Sequence, residues 1–457
     1  MEKDIKKLQE ERTQLFSDLY SGIIPKRIPI NTALPIELKI EYAGKDLGKT
    51  QWTLEDMKAI YEKSFELTAS DAYPASFATY PAHHYLMGSR SFTMGSQGTM
   101  QHPEVSAMEP EDYDDFIAAP FDCIVEKIFP RIYPELDTDP VSRSMVFAKA
   151  VKAFGDYAGF YGKIDAEMIE KYGFFAPPAG SSTGGTVPFD LLGDILRGFK
   201  GITMDIRRYP DKIAAACEAI LPISVKKGKP ANPSILGSHF IATHMGPFLR
   251  TKDFEKLYWP TFYKMVHALA EQGQTCLIFC ESDWMRYLDY LQELPQGTRF
   301  YFEYGDPKLV KEKLGKKHII SGFYPITYLK TATKEQCIDK AKELIDILAP
   351  GGNYYFNFDK SPYSLNTINP ENYKAVLDYI RDNGTYDNAG EKVWDKPREE
   401  TVDHVLKDIP AFESKYFKSF DTFKQNNPVP RADLEEVIRK KYEDYNDMLF
   451  NTMMLMC

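Results

Sequence analysis

The sequence predicts an α/β chain built on a (β/α)8 barrel of the TIM type, with an N-terminal helical extension and a C-terminal tail. Three observations lead there. Between residues 233 and 360 short apolar runs alternate with amphipathic helical stretches, the rhythm of parallel strands joined by right-handed crossovers. Five such units follow one another, and earlier apolar segments can complete the circle. The doubly wound alternative lacks its phosphate loop: Gly180 to Gly185 misses the GxGxxG spacing, and no GxxxxGK[ST] occurs.

In chain order, residues 4–21 predict a polar helix, a peripheral arm with Leu8, Leu15, Phe16 and Leu19 as its apolar stripe. Residues 73–108 are rich in Gly, Ser, Met, Tyr and His, a composition that suits a functional loop or lid, or else a mobile excursion. Residues 110–154 read as mainly helical, with Asp112, Asp114 and Asp115 at the positive end of a helix dipole. Residues 174–185 run from a strand into a Gly/Ser turn, before a helix at 189–199. The repeated units are helix 210–223 to strand 235–244, helix 254–271 to strand 276–283, and a short helix to strand 300–306. They continue with helix 307–314 to strand 318–324 and helix 334–348 to strand 354–359, closed by helix 370–381. Residues 1–135 are thus the extension, 136–385 the barrel domain and 386–457 the tail. That tail includes a helix near 433–445 and covers the barrel or meets a second subunit, a homodimer being one arrangement it allows.

Composition narrows the function classes. A chain of 457 residues with 43% hydrophobic residues can bury a large core. A net charge of -10 and no dense Lys/Arg run argue against nucleic acid as a partner. No stretch approaches the roughly 20 apolar residues of a spanning helix, so a soluble, cytoplasmic protein is expected, with no membrane partner. The six cysteines show no CxxC pairing, which fits reduced thiols rather than a disulfide framework.

In such a barrel chemistry is built where the strands end. Two runs end in acids: Ile278-Phe279-Cys280-Glu281-Ser282-Asp283 and Tyr301-Phe302-Glu303-Tyr304-Gly305-Asp306. Strand alternation puts Phe279, Glu281 and Asp283 on one face and Cys280 and Ser282 on the other. Glu303 shares a face with Tyr301, and His244 closes the preceding strand. Around one mouth, Glu281, Glu303 and His244 would form the mixed oxygen and nitrogen set that zinc accepts while keeping an open position. Each residue has an ordinary reading as well. Glu303 could pair with Arg299 or Lys308, Asp283 could cap the next helix, and His244 could be a hydrogen-bonded core imidazole. His239 is expected to pack inside, and His318 to face the opposite, stability end of the barrel. Tyr324, Asn357 and Asp359 are the expected substrate-binding residues, in aromatic-rich tracts suited to a flat ligand, and Glu281 and Asp283 the expected catalytic acids.

Residues 103–383 resemble the uroporphyrinogen decarboxylase superfamily, which includes corrinoid-dependent methyltransferases. The resemblance rests on Pro103-Glu104-Val105 with Met108 and Asp112-Tyr113-Asp114, on Ala270-Glu271-Gln272-Gly273, on Ala349-Pro350-Gly351-Gly352, and on Asn357 followed by Pro370-Glu371-Asn372. The decarboxylase branch fits less well: there is no Arg-Gln-Ala-Gly-Arg segment, and its Gly-His-Gly is replaced by Phe358-Asp359-Lys360. The methyltransferase branch carries a zinc-binding His-x-Cys at the end of the strand that here reads Ile278-Phe279-Cys280-Glu281: in the direct register the His is lost and Cys280 remains, with a one-residue slip Glu281 takes the thiolate's place, and a further Cys of the branch is here Gly352. A thiolate-rich site is therefore replaced by a carboxylate-containing one, suited to an oxygen substrate. The pattern is similar to the methyltransferases of O-demethylase systems. That resemblance implies a zinc-dependent transfer of a methyl group from a phenyl methyl ether to the cobalt(I) of a corrinoid protein partner. The alternatives are a decarboxylase of the same superfamily and a non-catalytic barrel binding an aromatic or a corrinoid.

Overall fold

The structure is a computed structural model that describes residues 2–75 and 80–455. Residues 76–79, within the Gly/Ser/Met-rich stretch, and Cys457 lie outside the described residues. Five parallel strands form one sheet in sequence order: β1 (Thr183–Thr186), β2 (His239–Thr243), β3 (Cys276–Cys280), β4 (Arg299–Phe302) and β5 (Ile319–Gly322). Every crossover contains helix, as parallel pairing requires. Single bridges carry the pairing further. Ile320 and Tyr324 pair with Tyr354 and Phe358, Phe356 with Ile30, and Ala72 with Phe175. Ile30 and Ala72 are joined as well, the Asp71 and Ala72 N–H groups donating to the Ile30 carbonyl at 2.9 and 3.2 Å. The expected strand at 354–359 therefore exists as isolated bridges rather than as a regular strand.

The register decides what the sheet presents at its carboxyl edge. Ala242 lies opposite Phe279 and Phe279 opposite Tyr301, while Thr243 lies opposite Cys280 and Cys280 opposite Phe302. The next row, just past the strands, is His244, Glu281 and Glu303, from neighbouring strands about 4.8 Å apart. Side chains alternate as expected: Cys276, Ile278 and Cys280 are buried among the covering helices, and Leu277 and Phe279 are half-buried on the other face.

Helix boundaries follow local chemistry. Asp306, expected at the end of a strand, instead caps α1 (Pro307–Leu314), its Oδ1 accepting from the N–H groups of Lys308 and Leu309 at 2.8 and 3.2 Å. Thr333 and Gln336 form a capping box at α2 (Lys334–Leu348). Asn369 caps α3 (Pro370–Asn383), whose proline stands at the first turn, where its missing N–H costs nothing. The strand expected to run to Asp283 stops at Cys280 because Ser282 takes φ 63°, which ends the extended backbone.

One outlying segment is more tightly held than the sequence suggested, and the tail takes one of the two places the sequence allowed it. The first helix, Glu2–Tyr20, is no peripheral arm: Phe16 and Leu19 are fully buried. Phe16 stacks on Phe175 at 4.4 Å, and the Arg299 guanidinium sits 3.4 Å from the Tyr20 ring centroid. This helix thus packs against the amino ends of the strands, away from the acid row. The tail crosses the outside of the sheet's helices, with the Asp403 N–H donating to His267 Nδ1 at 2.9 Å. Phe412, Phe417 and Phe450 cluster around Phe121. The five described cysteines are buried and free. Among the described residues no helix is long and apolar enough to cross a membrane.

Candidate active site

The row past the strand ends brings two of its three members together. His244 Nδ1 lies 2.7 Å from Glu281 Oε2, both side chains about two-fifths exposed. The backbone beneath them is pinned by Asp190. Its carboxylate accepts from the N–H of His244 at 3.1 Å, the N–H of Met245 at 2.9 Å and the hydroxyl of Tyr258 at 2.8 Å. Burial pushes the Asp190 carboxyl up to about 6, against the pull of the His244 charge and of these three donors. Burial by itself would lower His244. The hydrogen bond to Glu281 and the charges of Asp190, Glu281 and Asp194 overcome it and hold the imidazole at about 9. Without a metal the pair is an imidazolium donating to a carboxylate.

Glu303, the third member, turns elsewhere. Its Oε2 accepts from the Ser282 N–H at 2.9 Å and its Oε1 from Lys360 Nζ at 2.7 Å. Neither Arg299 nor Lys308 is its partner, because Arg299 stands at the far end of the strand over Tyr20. Partial burial works to raise the Glu303 carboxyl, but Lys360 and the Ser282 N–H outweigh it and hold it below the usual range. The lysine answers in kind: the hydrogen bond to Glu303 leads the causes that raise it, and the charges of Asp359 and Glu281 add to it.

A cleft of about 490 Å³ opens here, lined by Pro247, Phe248, Ser282, Asp283, Glu303, Tyr304, Asp359 and Lys360. Phe248 and Tyr304 are 62% and 65% exposed, so they offer apolar surface to whatever enters. Asp359 is buried, its Oδ1 accepting from the Ile326 N–H at 2.8 Å. Burial raises its carboxyl to about 6, and the nearby charge of Glu303 adds to this. Phe279 and Tyr301, opposite each other in the register two residues before Glu281 and Glu303, meet with tilted rings at 4.6 Å.

The other expected site residues divide. Asp283 lines the cleft, but it is exposed and its Oδ1 accepts from the Met285 N–H at 2.9 Å, a local turn contact; the N-cap of the short helix Met285–Tyr287 is Trp284 rather than Asp283. Parity does not put it beside Glu281, because the positive φ of Ser282 breaks the alternation between them. Tyr324 is not brought to the cleft. It is fully buried, and its hydroxyl donates to the Cys337 carbonyl at 2.9 Å. Asn357 turns back on its own strand, its Oδ1 accepting from the Phe358 N–H at 2.9 Å. His239 is packed inside with Nδ1 2.9 Å from Thr183 Oγ1, and His318 is buried at the amino end of β5, both as expected. Cys280 is fully buried, its thiol raised well above the usual value by burial.

Asp190 and Lys360 were missed as site residues. A lone acid inside the apolar run Val187-Pro188-Phe189-Asp190-Leu191-Leu192 was the available signal for the first.

The donor chemistry at the edge suits a zinc ion in part. One imidazole nitrogen and one carboxylate oxygen converge there, both groups that zinc accepts. The third expected ligand is engaged by Lys360, and among the described residues no group of three His, Cys, Asp or Glu side chains is placed to hold a metal.

No protein-family model matches the chain, and no curated protein matches it by sequence. Its fold does match a solved structure, that of a methyltransferase from Methanosarcina mazei, with a TM-score of 0.54 and 14% sequence identity. The match covers 81% of this chain and 98% of that one, so this chain is similar to that protein over nearly the other's whole length.

Proposed function

We propose that the cleft is the active site of a zinc-dependent methyltransferase that moves a methyl group from a methoxylated aromatic to the cobalt(I) of a corrinoid protein. The observation that carries this reading is the His244–Glu281 contact at the ends of two neighbouring strands, beside a cleft with aromatic walls. The fold shared with a methyltransferase supports it. We also infer that the sheet closes into a (β/α)8 barrel. The bridges running from β5 through Tyr354, Phe356, Ile30 and Ala72 to Phe175, a few residues ahead of β1, support that closure.

His244 and Glu281 would hold the zinc ion, and Glu303 would complete the set by exchanging its ion pair with Lys360 for the metal. Zinc bound there would supply a Lewis acid for the ether oxygen, the atom that takes up negative charge when the methyl group is transferred to cobalt. The chain does the rest. Asp190 fixes the backbone at His244 and Met245, so that the imidazole is presented to the cleft edge from a held main chain. Phe248 and Tyr304 cover the faces of the aromatic ring, and Asp359 accepts a hydrogen bond from a ring substituent.

The test is to mix the protein with a reduced corrinoid protein and a panel of aryl methyl ethers, and to follow the methylation of cobalt by its absorbance. Methylation with release of the matching phenol is expected for at least one ether. No methylation across the panel, with zinc supplied, overturns the reading.

A further inference from the structure

A second cavity, of about 610 Å³, shares no lining residue with the cleft. It is built mainly from the Gly/Ser/Met-rich stretch and the helix Leu47–Thr53, and its volume is ordinary for a small-molecule site. Trp52, Tyr85, Phe92, Met94 and Met100 make its walls apolar. Trp52 and Tyr85 meet edge to face at 5.6 Å, and Tyr85, 75% exposed, has ring surface left free to cover a ligand. Part of another wall is bare backbone: a Cβ on Gly98, at φ +82°, would fall 2.4 Å from the Gly48 nitrogen. Such a wall is flat. Its two charged members are already engaged, Asp46 accepting from the Lys49 N–H at 2.6 Å and Lys49 Nζ lying 3.7 Å from Glu55.

One polar group in the lining is buried and incompletely used. His84 is only 3% exposed, held between His83 at 3.9 Å and Phe92 at 4.8 Å, and its Nδ1 is buried with no hydrogen-bond partner. Burial, with the neighbouring His83 and His102, lowers this imidazole to about 3, so it is neutral. A neutral ring carries one proton. An orphaned buried N–H is rarer than an under-used acceptor, so the proton belongs on Nε2.

We propose that this cavity is a second binding site, for an uncharged planar heteroaromatic of one or two fused rings, whose acceptor nitrogen takes a hydrogen bond from His84 Nε2. The ring lies against the glycine wall and under Tyr85 and Trp52. An anionic aromatic fits less well, because Lys49, the one Lys or Arg in the described lining, lies 3.7 Å from Glu55 and the Asp46 carboxylate stands in the same lining.

The test is isothermal titration calorimetry of the full chain with benzimidazole, indole and benzoate at neutral pH. Benzimidazole, which offers an acceptor nitrogen, is expected to bind more tightly than indole, which offers only a donor, and more tightly than benzoate. His84→Phe keeps the packing and removes the donor, so benzimidazole should weaken by about tenfold, the worth of one hydrogen bond, while indole stays unchanged. Tyr85→Ala, at an exposed side chain that the fold does not need, should weaken both. The proposal is overturned if benzimidazole fails to bind the unaltered protein, if benzoate binds as well as benzimidazole, or if neither variant changes benzimidazole binding. None of these outcomes depends on methyl transfer, so the two sites stand or fall separately.

Discussion

His244 and Glu281 stand one strand apart in the same row and touch, Nδ1 to Oε2, at 2.7 Å. Their meeting is set by the parallel register, which places Thr243 opposite Cys280 and leaves the next residue of each strand side by side at the sheet edge. Asp190 holds the pair from below through two backbone N–H groups.

Replacing Asp190 by alanine should therefore harm both stability and the site. Three buried or half-buried donors, the N–H groups of His244 and Met245 and the Tyr258 hydroxyl, would lose their acceptor. The expected loss is about 3 kcal/mol or more, read from urea unfolding. Asp190→Asn, which keeps one acceptor oxygen, should lose less.

Zinc content tests the ligand set. The protein purified with zinc present should carry one ion per chain by elemental analysis, and Glu281→Ala and His244→Ala should each lose most of it. Glu303→Gln should also weaken retention if the carboxylate leaves Lys360 for the metal. Lys360→Met should strengthen it, because it frees Glu303. Full zinc retention in both Glu281→Ala and His244→Ala would rule out this ligand set.

Tyr324→Phe separates a packed tyrosine from a substrate contact. Its hydroxyl is buried on the Cys337 carbonyl, so the change should cost about 1 kcal/mol of stability and leave KM and kcat unaltered. A several-fold rise in KM at unchanged kcat would place the hydroxyl on the substrate instead.

Asp359 should leave a mark on the pH dependence of stability. The folded chain keeps this carboxyl protonated up to about 6, whereas an unfolded aspartate releases its proton near 4. Between those values the folded state binds more protons, so this group's contribution to stability falls as pH rises from about 4 to about 6. Asp359→Asn lacks that loss and can still accept from the Ile326 N–H. It should be the more stable protein at pH 7.5, by something on the order of 1 kcal/mol, with the difference vanishing toward pH 4 in urea titrations.

What the sequence showed of this fold was what local chemistry decides. The bounds 307–314 and 334–348 were legible because amphipathic spacing and Pro307 are local, although the capping by Asp306 and by the Thr333–Gln336 box was not read. His244, Glu281 and Glu303 were legible as strand-end residues because the apolar runs before them are local, whereas their standing in one row is set by the register between strands. The rest depends on partners distant in sequence. Glu303 meets Lys360 across 57 residues, and Asp190 meets the His244 N–H across 54, so neither pairing is visible in any window. Tyr324 looked available in an aromatic tract, and only packing shows that the Cys337 carbonyl has taken its hydroxyl. The end of β3 was misplaced because nothing about a serine announces a positive φ.

The most direct test of the central claim is the rate of cobalt methylation from an aryl methyl ether by the unaltered protein and by its Glu281→Ala and His244→Ala variants, each checked for folding by circular dichroism. The account predicts methyl transfer by the unaltered chain and a fall of about 100-fold or more in both variants, the size expected when a group that stabilises the leaving oxygen is lost. Unchanged methyl transfer in folded Glu281→Ala would contradict it.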